Sequence, residues 1–465
     1  MHVFDTIAAI STPYGKGGVA MIRISGSDAF AIGDAIFKPM SGKKLSELPV
    51  GKACYGEIIS TSENGKSIDD GIAVFFRAPH SFTGEDTVEI SCHGGILLTQ
   101  KVLSCALSAG ARMAEAGEFT RRAYVLGKIR LNEAESLGNL LEAKNEGQLS
   151  LARSGMRGRL SLRMDEIYRV LRSVLTGIYA NIDFPDEDLA DMSREEMLEA
   201  LRGALSQVNT LAATYKTGNA VSEGIPTVIC GRTNAGKSSV YNRIVGYDAA
   251  IVTDIEGTTR DVLRESATLG KVTLLLCDTA GIRHTEDKVE NIGIERSIKE
   301  INEAGLILAV FDGSKAPTDD DKELVAKILD SKTAAVALVN KTDVLSNVIN
   351  VELLDLLSKF ERKVKISALT GEGFEVLSNT VDEMFIDGTL DFDNDAIITG
   401  ARQYAAISKA SEFLSNAVYD VERGVSLDAC CVEVECAMSA LCELDGREIG
   451  EEIVHEIFSH FCVGK

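Results

Sequence analysis

The chain has 465 residues, 45% of them hydrophobic and 25% charged, with no tryptophan and a formal net charge of −22. That length suits about three domains of ~100–200 residues each, and the acidic balance argues against a protein that coats nucleic acid non-specifically. No run of ~18 apolar residues offers a membrane span. Met1-His-Val-Phe-Asp5 does not open like a signal peptide, and the ten cysteines lack C-x-x-C spacing. Together these fit a cytoplasmic chain with reduced thiols and no membrane partner.

Taken in order, residues 1–118 read as a small α+β domain. Ile7–Ile10 and Val19–Ile24 read as strands around the loop Tyr14–Gly18, which serves equally as a tight turn or a ligand loop. Ser25 is placed to cap a helix running to Phe37, and Gly71–Phe76 and Thr87–Ser91 are further strands. Residues 119–216 turn helical. Arg153, Arg157, Arg159, Arg163, Arg169 and Arg172 stud an amphipathic stretch that is either a solvated face or an RNA contact. Pro185 breaks the helix, and Ser193 to Glu196 spells a capping box. The stripe Leu198, Leu201, Leu205, Val208 and Leu211 predicts one buried face of the next helix. Residues 217–380 form a distinct α/β pattern, and helices resume at 381–465 (Tyr404–Val421 and Val432–Cys442) up to Phe461-Cys462-Val-Gly-Lys465. The fold class predicted is therefore multidomain α/β plus α, with the α/β domain inserted between two halves of one helical domain.

The inserted stretch carries the chemistry. Gly231-Arg-Thr-Asn-Ala-Gly-Lys-Ser238 lies between an apolar run and a helical one. This is the P-loop pattern, in which backbone amides and a helix N-terminus cradle phosphates, Lys237 reaches the outer phosphates and Ser238 can ligate magnesium. Asp278-Thr-Ala-Gly281 ends a buried strand, where a carboxylate can serve magnesium and the glycine can approach the γ-phosphate. Asn340-Lys341-Thr-Asp343 ends another, where a carboxylate can accept two hydrogen bonds from guanine and adenine offers no matching donors. Ser367-Ala368 closes the base pocket. In this order the four motifs predict a GTP-binding domain whose nucleotide contacts are Asn234, Ala235, Gly236, Lys237, Ser238, Ser239, Asp278, Gly281, Asn340, Lys341, Asp343, Ser367 and Ala368, while the loop from Thr253 to Asp261 should cover the phosphates through Thr253, Thr258 and Thr259.

Hydrolysis needs a polar group near the attacking water. The position after Asp-x-x-Gly, where small GTPases carry glutamine, is Ile282. Asn234 either stabilises its loop or helps hold a cation beside the phosphates, and the acids from Asp287 to Glu290 can reach the water.

Several stretches outside these motifs resemble the tRNA modification GTPases called MnmE or TrmE. They are Asp5–Ile10, Gly17–Ala20, Arg23–Gly26, Phe82–Asp86, Cys92–Gly95, Gly117–Thr120, Gly257–Asp261, Asp278–Arg283 and Phe461–Lys465. The resemblance implies an N-terminal tetrahydrofolate-binding, dimer-forming domain (Arg23 the best folate contact), a discontinuous helical domain and an inserted Ras-like P-loop G domain. It implies a homodimer that joins an FAD-containing MnmG (GidA)-like protein in a heterotetramer. This assembly modifies C5 of the wobble uridine in certain tRNAs with an aminomethyl or carboxymethylaminomethyl group, using a folate one-carbon unit. It further implies magnesium at Ser238 and Thr259, potassium at Asn234, Thr253, Ile255 and Thr258, water orientation by Glu290, and a part for Cys462 in the modification. Where the family often carries proline, this chain has Thr233 and Glu256, so both loops start less preorganised and weak resting nucleotide affinity is predicted. The alternative is a ribosome-assembly or other regulatory GTPase of the Era or Der type, which would carry an RNA-binding fold or a second G domain; neither pattern occurs here.

Overall fold

Strand alternation builds the first of two units. A computed structural model describes residues 5–61, 65–183, 192–247, 265–276, 304–344, 350–447, 450–459 and 461–464. The chain divides into one unit of Met1–Gly138 with Asp445–Lys465 and a second of Asn139–Leu444. In the first, β1 (Ile7–Ile10), β2 (Val19–Ser25), β3 (Phe37–Pro39), β4 (Cys54–Ile59), β5 (Ser67–Phe76), β6 (Thr87–His93) and β7 (Arg112–Met113) form one sheet in the order β3-β4-β5-β6-β2-β1-β7. All pairings are antiparallel except β1 with β7. In β2, Ala20, Ile22 and Ile24 point into the core while Met21 and Arg23 alternate with them, the period-2 signature of a half-covered sheet. Helices α1 (Ala29–Ile36) and α2 (Ile96–Ser108) supply Ile32, Ile36, Val102 and Leu103 to the same core.

The predicted helix cap at Ser25 is not what forms. Helix α1 starts at Ala29 behind Asp28, with no side-chain cap bond. Ser25 ends β2 fully buried, and its hydroxyl donates to Glu85 at 2.8 Å and lies 2.8 Å from the Thr83 hydroxyl. A buried hydroxyl must be bonded, and these long-range partners claim it first. Helices α3 (Glu118–Val125) and α4 (Leu131–Glu142) complete the unit together with the C-terminal helix Glu451–Ser459, whose Phe458 packs with Leu131 and Ala134.

The second unit opens with α5 (Glu146–Met156), α6 (Arg159–Asp183), α7 (Arg194–Ala213) and α8 (Tyr215–Ser222). The Ser193–Glu196 capping box forms as read: the Ser193 hydroxyl accepts from the Glu196 amide, and the Glu196 carboxylate accepts from the Ser193 amide. On α7 the fully buried positions are Met197, Leu201, Ala204, Val208 and Leu211, and Leu198 and Leu205 are only half-buried. The inward seam thus keeps Leu201, Val208 and Leu211 of the predicted stripe, and with Met197 and Ala204 it follows three-four spacing against a neighbouring helix. Among the six arginines, Arg163 pairs with Glu166 at 2.8 Å, and Arg153, Arg157, Arg169 and Arg172 are exposed.

An α/β layer follows: β8 (Ile225–Cys230), α9 (Lys237–Tyr247), β9 (Glu265–Leu269), β10 (Val272–Leu276), β11 (Leu306–Asp312), α10 (Asp319–Ser331), β12 (Ala334–Asn340), α11 (Val351–Leu357), β13 (Arg362–Lys365) and α12 (Phe374–Phe385). Its six-stranded sheet has the order β13-β12-β11-β8-β10-β9, parallel except for β9 on β10. Every residue of β11 is buried, because both faces are covered. One face meets Val240, Phe374 and Leu377, the other Val325, Ile328 and Leu353. After it, α13 (Ala401–Glu422) and α14 (Leu427–Asp445) return to pack with α6 and α7 around Ile167, Leu201, Leu414 and Val434. No helix among the described residues is long and apolar enough to cross a membrane.

Candidate nucleotide site

The loop between β8 and α9 is built by two glycines and two side chains that reach it from the end of β12. Gly231 has φ 151°, and a Cβ there would collide with the Val310 carbonyl; Gly236 has φ 101°, and a Cβ would collide with the Asn340 amide nitrogen. Between them Asn234 holds φ 63°, a left-handed conformation costing most L-residues about 1–2 kcal/mol and asparagine the least. Two bonds from the end of β12 offset that cost: Lys341 Nζ donates to the Asn234 carbonyl at 2.8 Å, and Asn340 Nδ2 donates to the Ala235 carbonyl at 2.9 Å.

The Lys237 ammonium is curled back over its own loop. Among the described residues it donates to the carbonyls of Gly231 at 2.8 Å and Arg232 at 3.0 Å, and no carboxylate meets it. Burial holds its pKa below the usual lysine range. A half-buried cation that among the described residues meets carbonyl dipoles and no carboxylate, at the N-terminus of α9 and over a backbone too close-packed for side chains, suits an incoming polyphosphate. Ser238 and Ser239 are exposed in the first turn of α9. Cys230, just before the loop, is buried and its thiol is pushed up to about 12, so it is inert.

The base side is assembled from three strand ends. Asn340 Oδ1 accepts from the Ala368 amide at 3.0 Å, tying the β12 end to the turn after β13. Ser367 Oγ donates to Asp343 Oδ1 at 2.6 Å, and the Thr370 amide donates to that same hydroxyl at 3.1 Å, so the exposed carboxylate is aimed by a buried serine. Such a carboxylate, accepting two bonds, selects a ring with adjacent N–H donors. Asp312, at the end of β11 and not marked by sequence reasoning, accepts from Lys341 Nζ at 2.8 Å, from the Ser314 amide at 3.0 Å and from the Ser314 hydroxyl at 2.6 Å. Its only sequence signal is its place at the carboxyl end of a central parallel strand, where such sheets bind ligands.

Asn234, Ala235, Gly236, Lys237, Asn340, Lys341, Asp343, Ser367 and Ala368 are thus brought together, with Ser238 and Ser239 beside them. Thr253, Ile255, Thr258, Thr259, Asp278, Gly281 and Glu290 lie outside the described residues.

Arg23 and Cys462 lie in the first unit. Arg23 donates through Nε to Glu89 Oε1 at 2.9 Å, its register partner on β6, and its guanidinium stands 5.3 Å from the Phe82 ring centre and 5.6 Å from that of Phe119. Cys462 is exposed; its carbonyl accepts from the Gly117 amide at 3.4 Å, and Ala116 bridges Val463. The pairing of Arg23 with Glu89 escaped sequence reading because it depends on the register of two strands far apart in the chain.

Comparison with known proteins agrees across the whole length. A family profile described as "GTP-binding protein TrmE N-terminus" matches residues 6–128, and one described as "MnmE helical domain" matches residues 131–462. The chain is 39% identical over 471 residues to a tRNA modification GTPase MnmE of Roseiflexus castenholzii, covering 99% of each chain. It is 39% identical over 462 residues to that of Lachnoclostridium phytofermentans, again covering 99% of each, and 38% identical over 463 residues to that of Bacillus cereus, covering 99% of this chain and all of the other. With a helical-domain profile spanning well over half its residues and relatives matched end to end, the chain belongs to the MnmE (TrmE) family.

Proposed function

We propose that the chain is a tRNA modification GTPase that binds GTP in the loop of residues 231–238 and reads guanine with Asp343. The observation that carries this is the half-buried Lys237 ammonium, which among the described residues meets only loop carbonyls, at a glycine-built helix N-terminus whose far side is pinned by the Asn-Lys-x-Asp segment. Family membership over the whole length supports the same reading.

The steps this chain can perform follow from those groups. Lys237 releases the two carbonyls and swings onto the β- and γ-phosphates, while loop amides and the α9 terminus take the remaining charge. Asp343, aimed by Ser367, accepts from the guanine N1 and N2 donors. Ser238, with Thr259, would hold magnesium, which neutralises the charge that develops on the phosphates. Asn234, with Thr253, Ile255 and Thr258, would hold potassium. Glu290 would orient the attacking water, since Ile282 cannot. In the first unit, Arg23 and Glu89 offer a guanidinium–carboxylate pair between aromatic rings that suits a flat, polar heterocycle with a carboxylate tail, such as a tetrahydrofolate. Cys462, a homodimer, an FAD-bearing partner and tRNA complete the reading, with a cytoplasmic location.

The test is GTP turnover by the purified full chain in potassium and sodium buffers of equal ionic strength. The reading expects faster turnover in potassium, lost in Asn234→Ala; equal rates in both buffers would remove the cation part and favour a regulatory GTPase served by a separate activator.

A further inference from the structure

Lys341 reaches two groups at once. Its ammonium bonds the Asn234 carbonyl in the phosphate loop and the Asp312 carboxylate, both at 2.8 Å. Asp312 is the fixed end of this bridge: its side chain is 1% exposed against 32% for Lys341, and its other oxygen is locked by the Ser314 amide and hydroxyl. The Arg232 guanidinium, from the same loop, stands 4.0 Å from it. Lys341 itself sits at φ 67°, so its backbone offers little freedom to find another partner.

We infer that Asp312 is a positioning residue for nucleotide binding: it holds Lys341 against the Asn234 carbonyl and so keeps the left-handed turn of the phosphate loop in place before the ligand arrives. Burial alone would raise this carboxyl, but Lys341 and Ser314 hold it below the usual carboxylate range, so it is charged throughout the neutral range. Without that anion the ammonium is drawn to water, the Asn234 carbonyl loses its donor, and the loop must pay the ordering cost on binding. The inference rests on the reading of this loop as the nucleotide seat, and the test separates the two.

The experiment is a double-substitution cycle on the full chain: the affinity for a fluorescent GDP analogue is measured for wild type, Asp312→Ala, Lys341→Met and the double variant, with thermal melting alongside. A charge-assisted hydrogen bond lost at a site predicts about tenfold weaker binding in each single variant. Because Asp312 acts through Lys341, the double variant should bind no worse than Lys341→Met alone. Losses that multiply to about a hundredfold, or an Asp312→Ala affinity within about twofold of wild type, overturn the inference. If Asp312→Ala does not fold, Asp312→Asn, whose single carbonyl oxygen can still serve Ser314 while its amide turns a donor instead of an anion toward Lys341, enters the cycle under the same rule. Wild-type protein that binds no GDP would overturn the nucleotide reading itself; wild type that binds with an additive cycle overturns this inference alone.

Discussion

Among the described residues, Arg122 in the first unit and Lys237 in the second are cations drawn away from water, and they handle the charge in opposite ways. In the first unit Arg122, with a side chain 5% exposed, donates to Asp5, Glu85 and Glu118, and Arg112 donates to Asp5 and Glu118. Every charge there has an opposite within reach. In the second unit the Lys237 ammonium meets only carbonyl oxygens among the described residues. Charge density therefore does not mark a ligand site. A paired network is structure, because removing one partner strands another; an under-compensated cation on a glycine-built loop is an open seat.

The largest effect should fall on the paired side. Arg122→Ala leaves Asp5, Glu85 and Glu118 without their shared partner and should cost the first unit about 3–5 kcal/mol. Calorimetry should show an earlier transition with GDP affinity unchanged; an unchanged melt would mean the network is idle. Next comes Asp343→Asn. Trading an acceptor pair for an amide should weaken GDP binding about tenfold to a hundredfold, the worth of a ~1.5–3 kcal/mol charged hydrogen bond. Affinity for xanthosine diphosphate should rise, since its C2 oxygen accepts from the new amide; no change in base preference would place the base elsewhere.

The smallest effects are those of pH. The Asp5 carboxyl is lowered chiefly by its bond from Arg112; burial would raise Glu118, but Arg112 and the Glu115 amide bring it below its ordinary value. Depressed carboxyls contribute stability that is complete above the unfolded pKa and fades as pH falls through the folded one, so the acid limb of the melting curve should steepen less in Arg122→Ala. His93, exposed on the sheet, runs the other way. Its ring nitrogen lies 2.9 Å from Asp69, which raises it above 6.5. Its contribution is present below that value and is lost as pH climbs through the folded one. Proton NMR should find the His93 titration shifted down in Asp69→Asn; an unmoved midpoint would mean the contact does not persist in solution.

What the sequence disclosed divides along the same line. The phosphate loop, the strand end at Asn340 and the Ser193 capping box are contiguous patterns, and each formed where it was read, because neighbours within a few residues dictate the backbone. Asp312, Glu89 and the Ser367 bond to Asp343 depend on strand order and register, which no local pattern encodes. Ser25 misled for that reason: a good cap residue locally, it was claimed by Glu85, sixty positions along the chain. The stripe on α7 formed in the main: Leu201, Val208 and Leu211 lie in the seam, Met197 and Ala204 complete it, and Leu198 and Leu205 pack half-buried against it.

The contrast between paired and unpaired charge is tested most directly by Lys237→Met, measured for binding of a fluorescent GDP analogue and for melting in the same preparation. Binding should disappear while the melting temperature holds or rises, because a desolvated ammonium that meets no carboxylate among the described residues is replaced by an apolar side chain of similar length. Binding that survives, or a fold that collapses along with it, would contradict the claim that Lys237 is held ready for a phosphate rather than for the fold.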